Sequence, residues 1–298
     1  MSTPKVESEQ HGELNCWRIT TDSAELLVAQ QGAQVLSYQR LGEPPLLWLS
    51  DQALFKHGKS VRAGVPVCWP WFGNLQRNPE AVRSQFSGSD APAHGLVRGR
   101  DWQLLGIDNT GDSVQLAFTL PESQGKLPGW PHQVRLTLEI VMGEQLTLNL
   151  TSHNLGSDPV TLSQALHSYF AVSDVRSVRV EGVDGLNYIE TLADWEQRTQ
   201  QSDLTFSGET DRIYLDTPAQ LSIVDPAWNR RVRVTSGGSR SAVIWNPWTE
   251  RAAQLPDMAA DGWQRMLCIE TANVWDDLVE LAPGATHVLS LSISSESL

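Results

Sequence analysis

The sequence predicts an all-β protein: a large antiparallel β-sandwich with few short helices. Three observations carry this expectation. Apolar and polar residues alternate with a period of two along much of the chain, turn residues interrupt the alternation at short intervals, and windows of helical period are scarce. Period two marks a strand with one face in a core and the other toward water, and many such strands close together favour stacked antiparallel sheets.

Taken in order, residues 1–12 read as a loose N-terminal extension, and "AELLVAQ" (24–30) and "AQVLSYQ" (33–39) as the first strands. "SVQLAFTL" (113–120) follows the separator "DNTGD" (108–112). "VRLTLEIV" (134–141) and "LTLNLTSH" (146–153) flank "MGEQ" as a hairpin. "SVRVEGV" (177–183), "RRVRVTS" (230–236), "SAVIWN" (241–246) and "THVLSLSIS" (286–294) alternate in the same way, with "TSGGS" as a further separator. The best helical window, "ETLADWEQRTQ" (190–200), is short. No repeat, low-complexity tract or linker composition divides the chain, so residues 1–298 are expected to form a single domain. The stretches 55–95 and 247–265 are too long for simple hairpins, and function is expected there.

Composition narrows the class. A chain of 298 residues can bury about 75% of its unfolded surface and needs no staples. Cys16, Cys68 and Cys268 are an odd, scattered set without a CxxC pair, which favours a reducing compartment over a disulfide framework. The N-terminus lacks the apolar core of a secretory signal, and no apolar run approaches the ~18 residues of a membrane span. A cytoplasmic, soluble protein is expected. The net charge of −13 repels nucleic acid and anionic lipid, and would repel an anionic substrate unless clustered arginines override it.

Twelve tryptophans stand against six phenylalanines. Trp69, Trp71, Trp130, Trp248 and Trp263 fall in loops, where they either lid the sandwich or offer flat faces to a sugar.

In "TLSQALHSYFAV" (161–172), alternation puts Leu162, Leu166 and Phe170 on one face and Ala165, His167 and Tyr169 on the other. In "RMLCIETANV" (265–274) it groups Met266, Cys268 and Glu270, and a carboxylate ending an apolar strand either reaches water or serves a cleft. "APAHGLVRGRDW" (91–102) supplies His94, Arg98 and Arg100, with the two arginines on one side if the backbone is extended. "ETDRIYLD" (209–216) sets Asp211 beside Arg212. His94, His167, Asp211 and Glu270 could in principle hold a metal, but none of them has local ligand spacing, so no metal is expected. A Cys268–His167 nucleophilic pair is conceivable, yet nothing marks the thiol as activated.

Together "VRAGVPVCWPWFG", "AHGLVR", "ALHSYFAV", "TDRIY", "IWNP" and "CIETA" stand in an order that resembles the hexose-6-phosphate mutarotases, the glucose-6-phosphate 1-epimerases of the galactose-mutarotase-like superfamily. The resemblance runs from about residue 24 to the C-terminus. It implies a galactose-mutarotase-like supersandwich and assigns His167 and Glu270 as catalytic, Arg62 and Arg98 to the sugar phosphate, and Asp211 to substrate. His94 matches a motif histidine of less defined role, and Arg100 is left structural. "HGLVR" departs from the more usual "HGFAR", and the loop "NPWTERAAQLPDMAADGW" differs in detail, which leaves sugar preference open.

Interconverting α and β anomers requires one base at O1 and one acid at the ring oxygen, with no metal or other cofactor. Glu270 is expected as the base and protonated His167 as the acid. Arg62, alone in an apolar stretch, suits the roughly −1.5 to −2 charge of a phosphate monoester; alternatively it is structural and stacks on Trp69 or Trp71. The expected activity is anomer interconversion of an aldohexose 6-phosphate by a monomer. A non-catalytic carbohydrate-binding sandwich, a glycoside hydrolase using Asp211 and Glu270, and a mutarotase for unphosphorylated aldoses are the alternatives.

Overall fold

The structure, a computed structural model, describes residues 4–109 and 113–298. Its first strands are β1 (Lys5–His11), β2 (Leu14–Thr20), β3 (Ala24–Ala29), β4 (Val35–Arg40) and β5 (Val67–Cys68). A short helix α1 (Glu80–Arg83) precedes β6 (Gln103–Asn109), β7 (Val114–Leu120), β8 (Val134–Met142) and β9 (Leu146–Asn154). Next come β10 (Val160–Leu162), β11 (Gln164–Leu166), β12 (Tyr169–Ala171), β13 (Arg179–Glu181), β14 (Asn187–Glu190) and β15 (Glu196–Thr199). The chain continues through β16 (Leu204–Thr205), β17 (Thr210–Tyr214), β18 (Gln220–Asp225), β19 (Arg230–Gly237) and β20 (Ser241–Asn246). It ends with α2 (Trp248–Ala252), β21 (Met266–Asn273), β22 (Val279–Leu281) and β23 (Thr286–Ser297).

Most of these strands form two large antiparallel sheets, while β1-β2-β3-β4 make a four-stranded sheet and β10 pairs with β22. One large sheet runs β16-β13-β18-β19-β23-β9-β8-β7-β6; the other runs β15-β14-β17-β20-β21-β11-β5, with β12 also on β21. Leu136, Leu138 and Ile140 of β8 join Leu166, Phe170, Ile244, Leu267 and Ile269 of the second sheet in one apolar cluster. The sheets therefore pack face to face, as the alternation requires, and each such side chain stabilises the fold by about 1.5–3 kcal/mol. The large antiparallel β-sandwich with few short helices is the fold the chain adopts.

The 134–153 hairpin forms as its sequence requires, with Val134 opposite Asn154 and Met142 opposite Leu146. Of the separator "DNTGD", positions 110–112 lie outside the described residues. Two expectations are corrected. Residues 5–11 are not a loose extension: β1 pairs with β2 along its whole length, from Lys5 opposite Thr20 to His11 opposite Leu14. The Glu9 carboxylate accepts from the Arg18 guanidinium across that pair. The window 190–200 is not a helix but a turn followed by β15, which pairs with β14. Asp194 and Trp195 take φ of +50° and +61°, which no right-handed helix accommodates, and the neighbouring strand supplies the hydrogen bonds instead.

Candidate active site

The outer face of the second sheet carries the site, and strand register builds it. Leu166 stands opposite Thr271 and Tyr169 opposite Cys268. The same antiparallel register carried across the gap between β11 and β12 sets His167 directly opposite Glu270, two residues 103 apart in the chain. Glu270 in turn stands opposite Val243, and Val243 opposite Ile213. The adjacent row is Tyr169, Cys268, Trp245 and Asp211. Directly opposed residues project from the same face of a sheet, so the two rows pave one floor.

At the edge of this floor, the 61–66 segment takes the place of a strand. His167 donates its backbone N–H to Pro66 O at 3.0 Å, and Tyr169 donates to Gly64 O at 2.8 Å. Gly64 has φ +50°, and a Cβ there would lie 1.9 Å from Val35 O, so only glycine lets the segment press this closely. That closeness delivers Arg62 to Tyr169.

Arg62, His94, Arg98, His167, Asp211 and Glu270 all line one cleft of about 680 Å³. Arg100 is not among its walls; its Nε donates to Leu96 O at 3.1 Å. The 94–100 segment is a series of turns rather than extended backbone, so Arg98 and Arg100 part company. Arg98 donates Nη2–H to Ala93 O at 2.9 Å.

His167 Nε2 lies 3.5 Å from Glu270 Oε1. His167 Nδ1 and Glu270 Oε2 are buried without a protein partner, a costly arrangement unless a ligand completes it. The imidazole lies parallel to the Tyr169 ring, with centroids 4.8 Å apart and planes 5° from parallel. Burial, with the nearby His94, Arg98 and Arg62, lowers the His167 pKa well below its usual value. Burial and Asp211 raise Glu270 well above the carboxylate range. Burial thus disfavours the charged form of both groups.

His94 has φ +63°. Its Nδ1 accepts from Gly73 N–H at 3.4 Å and lies 3.5 Å from Cys68 Sγ. The neutral ring therefore carries its proton on Nε2. Burial, aided by Arg98 and Arg62, lowers its pKa to about 3. Asp211 rises to about 6, chiefly by burial.

Arg62 does not stack on Trp69 or Trp71, which are sealed inside the main core. Its Nε donates to Asp257 Oδ1 at 2.7 Å and its Nη1 to the Tyr169 hydroxyl at 3.1 Å. Trp69, Trp71 and Trp130 are core residues, and Trp248 packs on Trp263 with centroids 4.3 Å apart. The cleft's aromatic walls are instead Phe72, Tyr169, Trp195, Trp245 and Trp275. Sequence reading missed Tyr169, Asp257 and Trp245 as site residues. The period-two spacing of Tyr169 from His167 was a usable signal, whereas Asp257 had none.

His167, Cys268 and Glu270 offer donor atoms within 4.8 Å of one another, a trio different from the four residues considered as metal ligands in the sequence. Burial and Glu270 hold the Cys268 thiol well above its usual pKa, so it is a poor metal ligand and a poor nucleophile.

An imidazole and a carboxyl thus meet on a sandwich floor, at a cleft with room for a sugar. Known proteins supply the class. The family profile described as "Aldose 1-epimerase" matches residues 15–294. The chain belongs to that family. A protein of Escherichia coli (strain K12) named "Putative glucose-6-phosphate 1-epimerase" is 34% identical over 272 residues, 91% of this chain and 87% of its own. One of the same name from Cenchrus ciliaris is 34% identical over 269 residues, 85% of this chain and 76% of its own. The crystal structure of a Salmonella typhimurium protein titled a "putative mutarotase (YeaD)" superposes with a TM-score of 0.88 at 29% identity, covering 98% of this chain and 94% of that one.

Proposed function

We propose that this isomerase interconverts the α and β anomers of an aldohexose 6-phosphate, glucose 6-phosphate foremost, with His167 and Glu270 as the acid–base pair. The observation that carries the reading is the cross-strand pair itself: two titrating groups 3.5 Å apart, each with an unpartnered buried atom, in a cleft lined by Arg62 and Arg98. The names of the relatives point to the same substrate.

The pair shares one transferable proton across its 3.5 Å contact. The reactive form is imidazolium–carboxylate, with that proton on His167. Glu270 then takes the O1 proton as the C1–O5 bond breaks, and His167 gives its proton to O5. Rotation about C1–C2 and the reverse transfers close the ring on the other face and restore the pair. No metal or other cofactor enters these steps. On this reading Asp211 and the Nε2–H of His94, from two residues that line the cleft, hold sugar hydroxyls.

One observation favours a second substrate class. Arg62 is already neutralised by Asp257, as in a site for unphosphorylated aldoses. Magnetisation-exchange NMR on equilibrated glucose 6-phosphate and glucose decides between them. His167→Ala and Glu270→Ala are expected to lower catalysed exchange by about 10²–10⁴-fold each. Arg62→Ala and Arg98→Ala are expected to raise KM for glucose 6-phosphate and leave that for glucose near its starting value. Unchanged exchange in the first pair of variants overturns the assignment of roles, and equal effects on both sugars in the second overturn the phosphate.

On this reading the protein works as one domain and as a cytoplasmic monomer on a small anionic sugar, without nucleic-acid or membrane partners. The net charge of −13 and three free buried cysteines support it.

A further inference from the structure

We propose that Asp257 is an internal stand-in for the substrate's phosphate: its carboxylate pairs with Arg62 and is exchanged for the phosphate when a phosphorylated sugar binds. The inference rests on the phosphate-binding reading of Arg62 given above.

The guanidinium geometry leads to it. Phosphate is gripped best by two neighbouring N–H groups, either Nε with Nη2 or Nη1 with Nη2. Nε is taken by Asp257 at 2.7 Å and Nη1 by the Tyr169 hydroxyl at 3.1 Å. Among the described residues Nη2 has no hydrogen-bond partner, and Nη1 keeps a second N–H beside the one given to Tyr169. A phosphate on the Nε–Nη2 edge must therefore displace Asp257, and one on the Nη1–Nη2 edge must share Nη1 with Tyr169.

The two are not equally able to leave. Tyr169 is fixed on β12, is 5% exposed and lies flat against His167. Asp257 sits in the turn-rich stretch between α2 and the Gly262–Arg265 turn, between exposed Pro256 and buried Met258. Its main chain is pinned, since Ser50 Oγ donates to Asp257 O at 2.7 Å. The carboxylate can swing away while the backbone stays in place.

Charge supplies the reason for the exchange. The Arg62 and Asp257 side chains are only 18% and 14% exposed, and a guanidinium so enclosed is costly to leave unpaired. Asp257 meets that need with one negative charge. A phosphate monoester brings roughly −1.5 to −2 and three acceptor oxygens, so it can take the carboxylate's place, whereas a neutral sugar leaves the ion pair intact. Asp257 thereby sets a threshold that an incoming anion has to exceed.

Asp257→Asn keeps the shape and the acceptor oxygen and removes the charge; Asp257→Ala removes both. Calorimetric titration with inorganic phosphate, together with KM for glucose 6-phosphate and for glucose, reads the effect. Both variants are expected to bind phosphate about tenfold more tightly, equivalent to about 1.4 kcal/mol, with KM for glucose 6-phosphate falling in step and KM for glucose not following. Phosphate affinity unchanged or weakened in both variants overturns the proposal and makes Asp257 an orienting partner of Arg62. Arg62→Ala separates the two layers. If it abolishes the phosphate titration while the Asp257 variants fail to strengthen it, only the stand-in role falls; if it leaves the titration untouched, the phosphate reading falls first.

Discussion

Asp211 shows what this cleft does to a single carboxyl. Burial, with Glu190 and Glu209 nearby, raises its pKa from 3.8 to about 6, so the folded protein binds its proton more tightly than the unfolded chain does. The associated stability is fully present below pH 3.8 and is lost as pH rises through about 6. Asp211→Asn removes that loss. Calorimetric melting should show the variant roughly 2–3 kcal/mol more stable at pH 7.5, with the gain shrinking toward pH 4. A gain that does not depend on pH would contradict the cause. Greater stability bought by losing a polar group that faces the cleft should come with a raised KM, the usual trade at a binding site. His94 works in the opposite sense. Its pKa, lowered to about 3, makes the folded state shed a proton the unfolded chain keeps, so its contribution weakens as pH falls from 6.5 toward 3.

At the scale of elements, the site needs strands with different duties. β21 is buried along all eight residues because it lies in the middle of its sheet, with β20 on one side and β11 and β12 on the other; this is why a glutamate there is sealed rather than wet. β1 is the contrary case. It is an edge strand with five of its seven residues exposed, and it lies in the four-stranded sheet, away from the floor of the cleft. Deleting residues 1–11 is therefore expected to leave kcat/KM within about twofold and to lower Tm by about 2–4 °C, the shift of a ~1 kcal/mol change in a large domain. A large loss of activity with little change in Tm would show that β1 reaches the site. The charged residues of β1, Lys5, Glu7 and Glu9, also suit an edge that must not pair with another chain.

For the whole molecule, the net charge of −13 opposes the arginines of the cleft. An approaching dianion feels the negative surface first, because the Debye length is about 30 Å at 0.01 M salt, and about 10 Å at 0.1 M. The half-buried arginines act at contact distance, where screening is weak. Raising salt from 0.01 to 0.1 M should therefore raise kcat/KM for glucose 6-phosphate by about two- to threefold and leave glucose flat. A fall would show that the arginine field governs the approach.

Much of this was legible in the sequence, for a definite reason. Period-two alternation is a local property, and it determined the sandwich, the 134–153 hairpin and the faces on which His167, Tyr169 and Glu270 lie. The order of motifs then linked Arg62, His94, Arg98, His167, Asp211 and Glu270 to one chemistry. Only the tertiary structure decided what depends on groups far apart in the chain. Register across β11, β12 and β21 set His167 against Glu270, and burial disfavours the charged form of each. The 247–265 loop brought Asp257 onto Arg62 across 195 residues, and a neighbouring strand made a β-hairpin of the 190–200 window. Distance, dielectric and the competition between hydrogen-bond partners arise only when the chain closes on itself, and no local pattern encodes them.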